Sequence, residues 1–492
     1  MILASPGHSE VLLEIEGSAG PVRILFDAWL SDFAFGDFMQ RNPRVDLDSI
    51  GKLDAIYVSH SHCDHLDPYT LTALYQKQTP VLVVPETIEF LVPVLSKFLP
   101  GAPIEILRHN KASNISGLSW TGFAFAVPYL TNEEDVMPLV IRSKKESVFF
   151  EADIALPDSQ EAHGAVDRAM GETERVFVST RNELEALYTS YDAKTPQERK
   201  QKLTSYRRKR KDELYWEYAR YAELELPCPF RPGSLKLITG QGMIFPVDLS
   251  REFLPLSNPF PLADVTALEV QAARETGYDL KLMTLEAGEQ IDSRTIKKSK
   301  SQIKVEQTRL TQDPSAPAPA PRTPGPLFDD LRDPSLQKQK ILHILNDRFV
   351  PHMAYHREEP LKALLLARGS YTIRILYGTS SSHRHEDYTI RFADMKFSEL
   401  SEQDKHEESA RRSKIKPDEI YWANDLDDFL TGRQDQFSTT LHNFFEETAI
   451  RLWTMLGLPF LNNDLIEAKV GFHFERAASG HTVNDWIEQI KK

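Results

Sequence analysis

The stretch Ser59-His60-Ser61-His62-Cys63-Asp64-His65-Leu66-Asp67 sets three histidines and an aspartate within six positions. It follows the apolar run Leu53-Asp54-Ala55-Ile56-Tyr57-Val58, which reads as a short buried strand, and precedes Tyr69 to Gln78, which reads as a helix. Histidines two apart on an extended chain line one face. Where a strand breaks into a turn they can converge further, so His60 and His62 can share one ion while Asp64 and His65 face a second. Imidazole nitrogen suits zinc or iron, and added carboxylate oxygen tilts the preference toward harder ions. A lone histidine is ordinarily a satisfied structural side chain, but nothing about stability calls for this order of residue types at this spacing. Cys63 sits at a position the pattern leaves free and reads as filler.

Working outward, Val11-Leu12-Leu13-Glu14-Ile15 and Val22-Arg23-Ile24-Leu25-Phe26-Asp27 read as a hairpin turning at Gly17 to Gly20. Beyond the histidine cluster come short strands at Val81 to Pro85, Ile104 to Ile106, Phe123 to Val127, Leu139 to Ile141, Val148 to Phe150 and Val176 to Val178, with a helix near Thr87 to Phe98. Alternating strands and helices with hairpin-like pairs predict an α/β sandwich. From Lys297 the character changes, and Pro314 to Pro326 is a Pro/Ala run that can continue neither a helix nor a central strand. The expected organisation is a metal domain at 1–296, a linker at 297–326 and a smaller α+β domain at 327–492. In that domain Gln337 to Phe349, Glu359 to Ala367 and most of 418–475 read as helices. Tyr371 to Tyr377 and Tyr388 to Phe392 read as an antiparallel pair across a polar loop from Thr379 to Glu386.

At 492 residues the chain exceeds one hydrophobic core, and 41% hydrophobic with 26% charged residues is the balance of a globular protein. No apolar run is long enough to span a bilayer, and the first residues lack the pattern of a secretory signal, so a cytoplasmic location is expected. Only Cys63 and Cys228 are present, which excludes a disulfide framework and a cysteine-held zinc ribbon or iron–sulfur cluster. A net charge of −14 argues against nucleic acid as a partner. The local exception is Arg199 to Lys211, where Arg207, Arg208 and Lys209 are candidate substrate-binding residues, an anion clamp of the kind a nucleotide-linked substrate requires. The plainer reading is a helix with a solvated basic face.

The His-x-His-x-Asp-His pattern, with Phe26-Asp27-Ala28-Trp29-Leu30 and Gly7-His8-Ser9 before it, resembles the metallo-β-lactamase superfamily. That resemblance implies an αββα sandwich with a dinuclear site at the edge of two packed sheets. Ile56-Tyr57-Val58-Ser59-His60 and Asp67-Pro68-Tyr69-Thr70-Leu71 look like the metal domain of CMP-N-acetylneuraminate hydroxylase. Ile341 to Asn346, the Asp387-Tyr388 strand and a helix from Trp422 to Leu430 extend this likeness into the second domain. Two cysteines cannot hold that hydroxylase's Rieske cluster. The superfamily's bridging acid falls on Asp153, after the apolar run Val148-Phe149-Phe150, and its third-strand ligand on Glu133, Glu134 or Asp135. Its final histidine is missing near Leu237 to Met243, and no histidine occurs between His163 and His343. His8, His163, His352, His356, His383 and His385 are the remaining candidates, although a structural histidine is the commoner case for His8 and His163.

The resemblance therefore implies two divalent metal ions, iron or zinc, on His60, His62, Asp64, His65, Asp153 and Glu133. With iron the chain would be an oxygenase or hydroxylase of a small or nucleotide-linked substrate, supplied with electrons by a donor protein. The alternative is a hydrolase of a phosphoester or amide, in which a metal-activated water attacks and Asp64 or Asp67 directs proton traffic. A non-catalytic regulatory protein is the third reading.

Overall fold

The computed structural model describes residues 1–34, 40–41, 43–125, 135–154, 156–157, 159–180, 234–239, 243–244, 262–275, 277, 281–306, 325–326, 328–351, 370–391, 396–399, 417, 419–431 and 463–485, with the single helical positions 197, 201, 204, 205, 208, 212 and 215. They belong to two compact units: Met1–Val127, Asp135–Ala320 and Phe474–Asp485 make the first, and Pro321–His473 is the body of the second.

The strands of the first unit are β1 (Ile2–Ala4), β2 (Val11–Glu16), β3 (Pro21–Phe26), β4 (Gln40–Arg41), β5 (Arg44–Val45), β6 (Ala55–Tyr57), β7 (Val81–Pro85), β8 (Ile104–Leu107), β9 (Ala112–Ile115) and β10 (Leu118–Gly122). They continue as β11 (Leu139–Arg142), β12 (Glu146–Phe150), β13 (Glu174–Thr180), β14 (Leu235–Thr239), β15 (Met243–Ile244), β16 (Lys281–Thr284), β17 (Glu289–Asp292), β18 (Lys297–Lys300) and β19 (Val305–Glu306). One sheet has the order β18-β17-β1-β2-β3-β6-β7-β8 and the other β16-β14-β13-β12-β11-β10-β9; β4 pairs with β15 and β5 with β19.

Alternation explains the layering. Val11, Leu13 and Ile15 of β2 with Ile24 and Phe26 of β3 share one core with Trp120, Ile141, Val148, Phe150, Val178 and Leu237 of the second sheet. Residues of the opposite parity, Leu12, Leu25, Ile56 and Leu82, are buried as well, so this sheet is covered on both faces. Helix α1 (Pro68–Tyr75) and helix α2 (Val92–Phe98) lie in the β6–β7 and β7–β8 crossovers, the latter after a tight helical turn at Glu86–Leu91. On the far face of the second sheet, α3 (Gln160–Met170) sets Ala162, Ala165, Val166 and Met170 against Val140, Phe149 and Phe177, and α4 (Leu262–Glu275) adds Ala272 and Ala273. Ser159 caps α3 by accepting a hydrogen bond from the Ala162 amide at 3.1 Å. The first unit is thus a two-sheet α/β sandwich.

In the second unit β20 (Ser370–Thr379), β21 (Ser382–Arg391), β22 (Phe397–Glu399) and β23 (Glu419–Trp422) form a sheet in the order β22-β21-β20-β23. Ile341 of α5 (Pro334–Ile344) and Leu426 and Phe429 of α6 (Ala423–Leu430) pack with Ile373, Ile375, Tyr377, Tyr388 and Ile390 of that sheet. The unit is α+β. No helix among the described residues is long and apolar enough to cross a membrane.

Several expectations need correction. Residues 297–306, assigned to the linker, hold β18 and β19; β18 pairs antiparallel with β17. Its Lys-Lys-Ser-Lys sequence is exposed throughout and carries no apolar alternation, as suits an open sheet edge where lysine discourages further pairing. The expected strand at Phe123 to Val127 lies earlier, at Leu118–Gly122, and 126–127 fall outside the described residues. The loop from Thr379 to Glu386 shrinks to a two-residue turn, since Thr379 pairs with Ser382. Residues 419–422 are a strand, parallel to β20, rather than the start of a helical region. The helix expected at Glu359 to Ala367 lies outside the described residues.

Candidate metal centre

Strand β6 ends at Tyr57, and the chain then runs through Val58, whose amide donates to Val83 at 3.1 Å, into the histidine segment. His62 closes the turn: its carbonyl accepts from the amides of His65 at 3.1 Å and Leu66 at 2.9 Å. His60 and His65 are fully buried, and their rings lie 4.0 Å apart, with His62 4.2 Å from His60. Asp153 arrives from the second sheet. Past β12 the backbone turns through Ala152, which is left-handed at φ 52°, a conformation costly for a residue with a Cβ and concentrated at functional sites. Asp153 Oδ2 thereby stands 3.1 Å from His65 Nε2 and 3.7 Å from His60 Nε2.

The turn is held by a second layer of residues. Asp27, directly after β3 and also left-handed at φ 49°, is wholly buried. Its Oδ1 accepts from the Ser59 amide at 2.7 Å, and its Oδ2 accepts from Ser59 Oγ at 2.9 Å and from His65 Nδ1 at 2.8 Å. Having donated to Asp27, Ser59 Oγ is left to accept from His60 Nδ1, 2.8 Å away. One carboxylate thus orients both rings and turns Nε2 of His60 and of His65 toward Asp153, the arrangement by which an outer carboxylate orients ligating imidazoles. Asp135 Oδ2 accepts from the amide of Ser61 at 2.9 Å and from its hydroxyl; it braces the turn.

The electrostatics are unbalanced without a cation. Burial pushes His60 well below the usual imidazole range, aided by His65 and His62. Burial also works against charge on Asp64 and Asp153, yet the His65 imidazole holds both carboxyls below their ordinary values. Burial alone would lower His65, but Asp153, Asp64 and Asp27 outweigh it and raise it well above. A proton on one imidazole answers only part of this demand, and a divalent ion answers more of it. Donor atoms of His60, His62 and Asp153 lie within 4.8 Å of one another, as do those of His8, Asp64 and His65. His60 Nε2 is buried with no hydrogen-bond partner among the described residues, a state that ordinarily has an explanation such as an ion. Two donors bonded to one zinc at about 2.1 Å stand roughly 3.0–3.6 Å apart, close to the separations seen. The residues present fit a pair of metal ions.

Not every candidate belongs to this cluster. Asp67, read as directing proton traffic, is the N-cap of α1: Oδ1 accepts from the Tyr69 amide at 3.0 Å, and Oδ2 from the Thr70 amide at 3.2 Å and the Thr70 hydroxyl. Burial raises its carboxyl to about 6 against those hydrogen bonds. The signal was legible in Asp67-Pro68, a capping acid followed by proline at the first helical position. Asp67→Ala is expected to cost about 1–2 kcal/mol in a denaturant melt while leaving metal content unchanged; loss of metal with full stability would restore the chemical role. Glu133 and Glu134 lie outside the described residues, as do Arg207, Lys209, His352 and His356. Arg208 is an exposed helical residue. His163 is buried on α3, and His383 lies in the second unit with its ring edge-on to Trp422. Sequence reasoning does not single out Asp27 and Ser59 as site residues, although Asp27, like Asp153, is an acid that follows an apolar strand.

A family model described as a beta-lactamase superfamily domain matches residues 22–179. A protein of Mycolicibacterium smegmatis described as a Rieske 2Fe-2S iron–sulfur protein is 38% identical over 85 residues, 17% of this chain and 16% of that one. The cytidine monophosphate-N-acetylneuraminic acid hydroxylase of Danio rerio is 39% identical over 67 residues, 13% of this chain and 11% of that one. These matches span only a small part of either relative. Among solved structures, CmlA, a diiron beta-hydroxylase from Streptomyces venezuelae, aligns at 12% identity with a TM-score of 0.36, covering 61% of this chain and 54% of that one. The part of the chain that this beta-lactamase superfamily model matches, residues 22–179, carries the His60 to His65 turn and Asp153.

Proposed function

We propose that the first unit is a dinuclear metalloenzyme that uses iron to oxidise a small-molecule substrate. The observation that carries the dinuclear part is Asp153 Oδ2, which stands between His60 Nε2 and His65 Nε2 at 3.7 and 3.1 Å. His60, His62 and Asp153 would hold one ion, and Asp64 and His65, sharing Asp153, the other. Two irons bound there would supply the activation of dioxygen. The chain itself supplies orientation and exclusion of water: Asp27 and Ser59 fix the imidazoles, Asp135 fixes the turn, and burial of His60 and His65 keeps bulk water off that side.

Oxidation is supported by the short matches to a protein named as a hydroxylase and to one named for a Rieske centre. With two cysteines in the whole chain, electrons would come from a separate donor protein. Arg207, Arg208 and Lys209 are the residues we assign to an anionic, nucleotide-like part of the substrate, and Glu133 is a further candidate ligand. Hydrolysis of a phosphoester or amide is the second reading. It is favoured by the imidazole-rich donor set of His60, His62 and His65, which suits zinc as well as iron.

Elemental analysis of anaerobically purified protein separates the readings. Two irons per chain with reductant-dependent dioxygen uptake supports oxidation. Two zincs with turnover independent of dioxygen would replace it by hydrolysis, and a chain that retains no metal would overturn both.

A further inference from the structure

His8 lies in the loop between β1 and β2, far in sequence from the histidine turn. It is fully buried, with Nε2 2.9 Å from Asp64 Oδ2. Its ring stands edge-on to Trp29 at 5.0 Å and lies 6.2 Å from the His65 ring. We propose that His8 is a further protein ligand of the second metal ion, beside Asp64, His65 and the shared Asp153, in place of the histidine that the chain lacks between His163 and His343. The proposal rests on the two-ion reading above and adds the identity of a donor.

Spacing is the first argument. His8 Nε2 is 2.9 Å and His65 Nε2 3.6 Å from the same Asp64 oxygen, and three donors on one ion at bonds of about 2.1 Å show separations of this size. Position is the second. The strand β14, whose following residues would carry the expected histidine, ends at Thr239, and the sequence from there through Met243 contains none. His8 reaches Asp64 and His65 from a different strand pair, so that ion has an imidazole on each side of its aspartate. The third argument is rigidity. The loop turns at Gly7, φ 154°, and is tied down on both sides. The Ser5 amide donates to Glu289 at 3.0 Å and the Gly288 amide to Ser5 at 2.8 Å, while Ser9 Oγ donates to the Asp64 carbonyl at 3.4 Å. A ligand held this way loses little freedom on binding.

The competing role for His8 is a hydrogen bond that merely positions Asp64, and a glutamine could supply that bond. Metal-free full-length chain is titrated with Zn²⁺, with the ion count read by elemental analysis after gel filtration and the affinities by calorimetry, for the unmutated protein, His8→Gln and the surface control His343→Ala. The expected result is two zincs in the unmutated protein and in His343→Ala. His8→Gln should retain one zinc at unchanged affinity, with the other weakened at least about 100-fold, the upper end of losses seen for outer-layer changes. Two zincs in His8→Gln with both affinities preserved would overturn the role of His8 and leave the two-ion reading standing. One zinc or none in the unmutated protein would overturn that reading itself. Should His8→Gln fail to fold, anomalous diffraction from crystals of the unmutated zinc-loaded protein decides: a zinc within about 2.2 Å of His8 Nε2 supports the assignment, and a zinc bound to Asp64 with His8 beyond bonding distance refutes it.

Discussion

Asp153→Ala is expected to reduce the chain from two bound metal ions to one or none, while its metal-free fold survives with only a modest loss of stability at neutral pH. The two halves of that result have separate causes. Asp153 Oδ2 faces His60 and His65 together, so on the proposed two-ion reading its removal would strip a donor from both ions, a larger insult than losing an outer-layer partner, for which about 10–100-fold in affinity is typical. In the metal-free chain the charge of Asp153 is opposed by burial and by Asp64, but the His65 imidazole 3.1 Å away outweighs both and holds the carboxyl below its ordinary value. Deleting it removes that attraction. Metal content by elemental analysis and thermal melting after chelation measure the two parts. Two ions retained in Asp153→Ala would remove Asp153 from the centre, and a collapsed metal-free fold would make it a structural residue.

Phe150→Ala should produce the opposite phenotype, a loss of about 3–5 kcal/mol in stability, read from the shift of a urea midpoint. Phe150 is fully buried in the core shared by the two sheets, and its ring lies 4.7 Å from that of Phe26. Against a total of about 5–15 kcal/mol for a typical domain, this one cavity would consume a large fraction. The pair matters for the site because Phe26 immediately precedes Asp27 and Phe150 lies three residues before Asp153. A loss under about 1 kcal/mol would mean that the cavity collapses and the two sheets do not depend on this contact.

The clustering of the histidine turn is legible because it is local: three histidines and an acid at a strand end need no knowledge of the rest of the chain. Asp153 was legible for a related reason, an acid at the end of an apolar strand, once the resemblance said that an acid was due. The hairpin of β2 and β3 could be read from alternation. Other features are non-local or lack an apolar signature. Strand β1 is three residues long, too short for a period, and β18 is a lysine run that only its pairing with β17 makes a strand. His8 reads as an ordinary histidine until the fold brings it to 2.9 Å from Asp64. Asp67 carries two signals: its neighbours in sequence are ligand candidates, while the proline after it points to the helix cap that it forms at α1.

Asp27 has a consequence for transferring this chemistry to another scaffold. The segment from His60 to His65 depends for its ring orientations on a carboxylate more than thirty residues earlier, on a different strand, held in a left-handed backbone. A designer who grafts only the histidine motif onto a foreign strand–turn–helix would move the donors without their bearing. The imidazoles would then be free to choose the wrong tautomer or to swing away. The smallest portable unit is two adjacent parallel strands, β3 and β6, with the acid that follows one aligned on the serine that follows the other.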